Sequence, residues 1–124
     1  NYLIDTYNGK KLNLKSNGRS GGTTNLYFEN GNISFEELLK SSSKSLYITE
    51  TIGHGTNIVT GDYSVGATGF LIENGQFKYP VNEITIAGNF KDMFKNITLA
   101  NDLKFEYSTN SPTVMIEGMV VAGK

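Results

Sequence analysis

Apolar and polar residues alternate along much of the chain, and this pattern predicts short β-strands. Leu46 and Ile48 fall on one side of residues 45–51, while Tyr47 and Thr49 fall on the other. Such alternation is typical of a strand with one buried face. Further strands are predicted at residues 25–28, 57–60, 103–107 and 113–121.

The turn sequence Asn74-Gly75 predicts a two-residue hairpin of type I′. Pairing outward from the turn places Ile72 opposite Phe77 and Phe70 opposite Tyr79. The four apolar side chains then share one face, which fixes the expected register.

Two short helices interrupt the strand pattern. Ser34 and Glu37 have the spacing of a capping box, which predicts a helix that begins at Ser34 and fades near residues 41–43. A second helix is predicted after Gly88, with Asn89 as its N-cap. Its expected buried stripe contains Phe90, Met93, Phe94 and Ile97.

Composition limits the class of protein. The 124 residues weigh 13.6 kDa, carry a formal net charge of −1 and include no cysteine. One domain of this size can bury its own core. Absence of cysteine excludes disulfides, thiolate metal ligands and cysteine nucleophiles. The expected fold is mainly β, either a curved antiparallel sheet or an open β-barrel, with two short helices.

The residues themselves indicate no catalytic site. His54 is the single histidine, and one imidazole without cysteine cannot make an ordinary zinc site. Asp62 lies in a turn, where aspartate is favoured for its own backbone hydrogen bonds. Gly66 and Gly69 interrupt a strand pattern, which indicates a bulge or a close neighbour. That neighbour is another strand of the same sheet, a bound peptide or a partner subunit.

Several runs of residues from His54 onward resemble one known family. They are His54-Gly55-x-Asn57-Ile58-Val59-Thr60-Gly61-Asp62-Tyr63-Ser64, Ile72-Glu73-Asn74-Gly75, Tyr79-Pro80-Val81-Asn82-Glu83-Ile84-Thr85-Ile86-Ala87-Gly88-Asn89, Asn101-Asp102-Leu103, and Pro112-Thr113-x-x-Ile116-Glu117-Gly118-Met119. In this order they resemble the C-terminal part of the TldD/PmbA family, in its PmbA/TldE branch. The first 53 residues carry no motif of this kind.

The resemblance implies a cytoplasmic protein of the group called modulators of DNA gyrase. TldD and TldE form a heteromeric metalloprotease that processes peptides. The TldD branch holds zinc through an H-E-x-x-x-H helix, which lies upstream of this region, and a cysteine in a C-terminal loop. Here that loop, expected at residues 108–112, has no cysteine. We therefore expect no catalytic residue, metal ligand or cofactor in this chain, with zinc held by a TldD-type partner.

The resemblance also implies that residues 1–124 are one domain, the C-terminal domain of a longer protein. Expected partners are a TldD-type subunit or a second copy, and an unfolded peptide substrate, with no nucleic acid and no membrane. Residues 53–69 are expected to face the chamber between subunits. Candidate substrate or interface residues are His54, Gly55, Asn57, Thr60, Gly61, Asp62, Tyr63 and Ser64. The alternative is a stand-alone β-rich binding module without a protease role.

Overall fold

Short strands and helices alternate through residues 4–16, 18 and 20–123, which the computed structural model describes. The helices are α1 (Thr6–Leu12), α2 (Phe35–Lys40) and α3 (Phe90–Lys95). The strands are β1 (Leu26–Tyr27), β2 (Lys44–Ile52), β3 (Asp62–Glu73), β4 (Gln76–Asn89), β5 (Ile97–Leu99), β6 (Thr109–Asn110), β7 (Val114–Ile116) and β8 (Val120–Ala122). A mainly β fold is confirmed, with α1 as a third helix beside the two predicted.

The strands form one larger sheet and two ribbons. Strands β2, β3, β4 and β8 make a four-stranded antiparallel sheet in that order. Strands β5 and β7 pair antiparallel, and β1 pairs with β6 in parallel. Within the described residues these sheets do not close into a barrel, so the antiparallel-sheet alternative describes the fold.

The hydrophobic core lies on one face of the four-stranded sheet. Val65 pairs with Ile86 and Ala67 with Ile84, and all four side chains are buried. Because directly opposed residues point to the same side, these pairs form adjacent rows of the core. The cluster is completed by the partly buried side chains of Leu46, Ile48, Tyr63, Val81 and Met119.

The hairpin turn has the predicted conformation. Asn74 and Gly75 have φ values of 51° and 76°, as a type I′ turn requires. Ile72 pairs with Phe77, which confirms the register next to the turn.

An irregularity between Phe70 and Ile72 shifts the register of the hairpin away from the turn. Phe70 pairs with Pro80 rather than with Tyr79. Leu71 and Ile72 are both buried, whereas Phe70 and Tyr79 are exposed. A bulge places successive side chains out of strict alternation. The predicted pairing of Phe70 with Tyr79 is therefore wrong, although the rings of Phe70 and Phe77 still lie 5.8 Å apart.

Both predicted helix starts are confirmed. In α2, Ser34 Oγ accepts a hydrogen bond from the Glu37 amide at 3.2 Å, and Glu37 Oε2 accepts one from the Ser34 amide at 2.8 Å. In α3, Asn89 Oδ1 accepts a hydrogen bond from the Lys91 amide at 3.1 Å. Each cap satisfies amides that a helix leaves unpaired at its first turn.

The predicted buried stripe of α3 is only partly observed. Met93 is buried and Phe90 is half-buried, but Phe94 is largely exposed. Ile97 lies beyond the helix, in β5. The helix ends at Lys95, and Met93 is the one residue of its six that is buried.

Three of the predicted strands differ from the structure. Residues 57–60 form a turn, and residues 103–107 contain no strand. The long strand predicted at residues 113–121 is divided into β7 and β8 around Gly118, whose φ is 80°. A positive φ takes the chain out of the extended region and ends β7.

We predict that Ile72→Ala strongly destabilises the fold. The Ile72 side chain is 0% exposed, and removing a buried aliphatic side chain lowers the free energy of unfolding by about 2–5 kcal/mol. Urea unfolding followed by circular dichroism measures the change. Val59→Ala is the control, because this side chain is 90% exposed and a change of less than about 0.5 kcal/mol is expected. Equal effects of the two substitutions would contradict the assigned core.

Candidate functional site

A closed hairpin loop at residues 55–64 contains most of the candidate site residues. The Ser64 amide donates to the Gly55 carbonyl at 2.9 Å, and Thr56 forms a bridge with Tyr63. Nearer the tip, the Asn57 amide donates to the Asp62 carbonyl at 2.8 Å. The loop therefore has two paired arms, and we call it the 55–64 loop.

The side chain of Asn57 determines the shape of the tip. Its Oδ1 accepts hydrogen bonds from the amides of Val59 at 3.0 Å and Thr60 at 3.3 Å. The Gly61 amide closes the turn on the Asn57 carbonyl at 2.8 Å, with Gly61 at φ 82°. The strand predicted at residues 57–60 is wrong because these local hydrogen bonds favour a turn over an extended chain.

Asp62 ties the turn together through both of its oxygens. Thr60 Oγ1 donates to Asp62 Oδ2 at 2.7 Å, and Asn89 Nδ2 donates to Asp62 Oδ1 at 3.1 Å. Both hydrogen bonds lower the pKa of Asp62 below its usual value, and the bond from Thr60 has a larger effect than the bond from Asn89. The carboxylate is therefore ionised at neutral pH and serves as a structural acceptor.

Asn89 connects the 55–64 loop to α3. Besides its bond to Asp62, Asn89 Nδ2 donates to the Thr60 carbonyl at 3.1 Å, while its Oδ1 caps α3. The Phe90 amide donates to the Gly61 carbonyl at 2.8 Å. Sequence reasoning identified the cap, but it missed this second role because the partners are 27 and 29 residues away along the chain.

Two apolar side chains stand at the tip of this hydrogen-bonded loop. Ile58 and Val59 are each 90% exposed. Neither was among the candidate site residues, because β-branched residues in sequence favour a strand. The signal that could have found them is their position between two turn formers, Asn57 and Gly61. A tip fixed by hydrogen bonds holds both side chains toward solvent.

The structure does not bring every candidate residue into this network. Asn57, Thr60, Gly61 and Asp62 hydrogen-bond to one another, whereas the exposed His54 precedes the paired arms. The remaining candidates, Gly55, Tyr63 and Ser64, lie in the paired arms. The arms are so close that a Cβ at Gly55 would overlap the Ser64 carbonyl. The Tyr63 ring packs against Phe90, with the ring centres 5.4 Å apart.

The Asn101-Asp102-Leu103 and Pro112-Thr113 runs meet at the base of a second loop. Asp102 accepts hydrogen bonds from the Thr113 amide at 2.7 Å and from Thr113 Oγ1 at 2.6 Å. Burial is the largest single influence and raises the pKa of Asp102, but the hydrogen bonds from Thr113, a backbone hydrogen bond of Asp102 itself and the charge of Lys104 together bring it below its usual value. These motif residues close the segment of residues 103–112, in which β6 (Thr109–Asn110) interrupts the loop predicted at residues 108–112.

An apolar cleft of about 1120 Å³ lies between the four-stranded sheet and the elements that cover it. Strands β2, β3 and β4 form one wall, and α2, α3 and β7 contribute the other. Representative lining residues are Leu38, Leu46, Ile86, Met93, Phe94 and Met115.

The described residues do not fit a zinc ion. Among them, no group of three or more His, Cys, Asp or Glu side chains is close enough together to hold a metal. The sequence has one histidine and no cysteine, whereas zinc sites take three or four ligands of these types. Nor does any helix in the described part of the chain have the length and apolar character to cross a membrane.

Comparison with known proteins identifies the family. A sequence model of the PmbA/TldA metallopeptidase C-terminal domain matches residues 1–123. The chain belongs to the PmbA/TldD family. A Thermotoga maritima structure described as a modulator of DNA gyrase superimposes with a TM-score of 0.83 and 38% identity, over 98% of this chain and 30% of that one.

Relatives within the family support the PmbA branch. The metalloprotease PmbA of Escherichia coli O157:H7 is 44% identical over 99% of this chain. A metalloprotease TldD homolog of Buchnera aphidicola is 25% identical, also over 99% of the chain. The chain spans 28% of the PmbA relative and 26% of the TldD homolog.

We predict that the hydrogen bonds of Asp62 make stability depend on pH. Because the pKa of the folded carboxyl is lowered, its contribution is present above the ordinary value of about 3.9 and is lost as pH falls through the lowered pKa. Asp62→Asn should therefore lower the Tm near pH 7, and this difference should shrink below about pH 4.

Thermal unfolding from pH 7 to pH 2 tests the prediction. Thr60→Val retains the shape of residue 60 but removes the Oγ1 donor, so NMR titration should show the pKa of Asp62 rising toward its usual value. A Tm difference between wild type and Asp62→Asn that stays constant with pH would contradict the assigned role.

Proposed function

We propose that this chain is the C-terminal domain of a PmbA/TldE-type subunit in a cytoplasmic metalloprotease of the TldD/TldE type. Membership of the family supports this proposal. The domain itself is non-catalytic in this proposal, and zinc belongs to a TldD-type partner. Supporting this division are the missing cysteine, the single histidine and the lack of a ligand cluster among the described residues.

We further propose that the 55–64 loop faces the chamber between subunits and contacts an unfolded peptide. The observation that carries this assignment is the 90% exposure of Ile58 and Val59 on a tip fixed by hydrogen bonds. A rigid tip loses little conformational entropy on binding. Aliphatic side chains bind apolar parts of a peptide without directional requirements, which suits substrates of varied sequence.

The test uses the full-length protein together with a TldD-type subunit. The pair should cleave an unfolded peptide, whereas the full-length protein alone should not, and metal analysis should place the zinc in the TldD-type subunit. Cleavage by the full-length protein alone, or no cleavage by the pair, would contradict the subunit role. Peptide binding without any effect of the partner would favour the stand-alone binding module.

A double substitution tests the loop within that assay. Ile58→Asn with Val59→Asn should raise the KM of the pair for the peptide by about tenfold, because apolar contacts worth about 1.4 kcal/mol are lost. The kcat and the zinc content should stay unchanged. Leu12→Asn is the matched control, because Leu12 is an exposed apolar residue of α1. An unchanged KM in the double variant would show that the loop does not contact the peptide.

A further inference from the structure

The sequence contains Asn-Gly steps at Asn8, Asn17, Asn30 and Asn74. This dipeptide has a chemistry of its own, because glycine has no Cβ to keep its amide nitrogen away from the preceding side chain. The nitrogen attacks Cγ and expels ammonia, which is one reason why asparagine is a thermolabile residue. Asn17 lies outside the described residues. At the other three steps the structure shows what holds the amide nitrogen and the side chain.

The step at Asn8 is held by two hydrogen bonds inside α1. The Gly9 amide donates to the Asp5 carbonyl at 2.9 Å, and Asn8 Nδ2 donates to Asp5 Oδ2 at 3.1 Å. Both bonds must break before the Gly9 nitrogen can reach Cγ of Asn8. The helix therefore protects this step.

The step at Asn30 is held by two hydrogen bonds to a distant segment. The Gly31 amide donates to the Ala100 carbonyl at 2.9 Å. Asn30 Oδ1 accepts a hydrogen bond from the Leu103 amide, also at 2.9 Å. Here too the nucleophile and the side chain are both engaged, although Asn30 is exposed.

The hairpin turn leaves both reacting groups of Asn74-Gly75 without such bonds. Asn74 is exposed, and within the described part of the chain neither its side chain nor the Gly75 amide makes a hydrogen bond. The turn type explains the second observation, because its hydrogen bond joins the residues on either side of the central pair. Attack on Cγ therefore requires local rotation at Asn74 but no loss of a hydrogen bond by either group.

We propose that Asn74-Gly75 is a site of spontaneous deamidation and isoaspartate formation. The Gly75 nitrogen bonds to Cγ of Asn74 and loses its proton, while the Cγ–Nδ2 bond breaks and ammonia leaves. Water then opens the succinimide: attack at Cγ gives aspartate, and attack at the main-chain carbonyl carbon gives isoaspartate. Water is the only co-reactant. The proposal is independent of the proposed peptidase role.

Isoaspartate changes the length of a turn on which the register of β3 and β4 depends. The main chain then runs through Cβ and Cγ of residue 74, which adds one backbone atom to a turn that normally has two residues. Next to the turn, Ile72 pairs with Phe77 and is 0% exposed. The Asn74 amide also donates to the Ser43 carbonyl at 2.9 Å, so a shifted turn disturbs its contact with the chain after α2.

Peptide mapping of the full-length protein, incubated at mildly alkaline pH, tests the site. Mass spectrometry should show Asn74 converting about tenfold or more faster than Asn8 or Asn30, because two hydrogen bonds must open at each of those steps. In urea the three rates should converge, since the difference comes from the folded structure. Native conversion of Asn74 no faster than that of Asn30 would overturn the proposal. So would a rate difference that persists unchanged in urea, because neighbouring residues would then explain it.

Two variants separate the modification from its effect on the hairpin. Asn74→Gly keeps a turn-forming pair but has no side-chain amide, so its Tm should stay constant during incubation. The wild type should gain a fraction of lower Tm as isoaspartate accumulates. Freshly prepared Asn74→Asp adds the charge without the extra backbone atom, so its Tm should remain close to that of the wild type.

An aged wild type that contains isoaspartate but unfolds at the original Tm would contradict the assigned effect on the register. A fresh Asn74→Asp variant as unstable as the isoaspartyl fraction would do the same, because charge alone would then account for the loss. None of these measurements depends on peptide cleavage, so failure of the proposed function would be seen separately.

Discussion

The pairing of β3 with neighbours on both sides holds the rest of the structure in place. At one end its register is set by the Asn74-Gly75 turn, and at the other by the pairing of Asp62 with Asn89. Between these two points Val65 and Ala67 point into the core. A slip of one residue would turn the core side chains outward. The position of the 55–64 loop, which continues directly into β3, therefore follows from the same register.

Features with local causes could be predicted from the sequence. The Asn74-Gly75 turn and the caps at Ser34 and Asn89 depend on atoms a few residues apart, and the structure shows all three. The pairing partner of Phe70 could not be predicted, because it follows from an irregularity in the pairing with β4. Such a bulge is decided by how two distant segments fit, and alternation along one segment does not record it.

In the candidate site, too, part of the backbone conformation could not be predicted from the sequence. Sequence reasoning predicted a strand across Ile58 and Val59, because β-branched residues favour extended backbone. Asn57 overrides that preference with two side-chain hydrogen bonds to the backbone. At residues 103–107 a side chain again replaces strand pairing. The buried Asn110 accepts hydrogen bonds through its Oδ1 from the amides of Glu106 and Tyr107, and these bonds hold the chain in an irregular conformation.

The double role of Asn89 makes the loop and the apolar cleft mechanically dependent on each other. One amide group holds the turn through Asp62 and begins α3, and α3 lines the cleft with Met93 and Phe94. A ligand that displaces the loop must therefore either break the hydrogen bonds from Asn89 and Phe90 or move the first turn of α3, which lines the cleft. Linkage then requires reciprocity: if filling the cleft alters affinity at the loop, occupying the loop alters affinity at the cleft by the same factor.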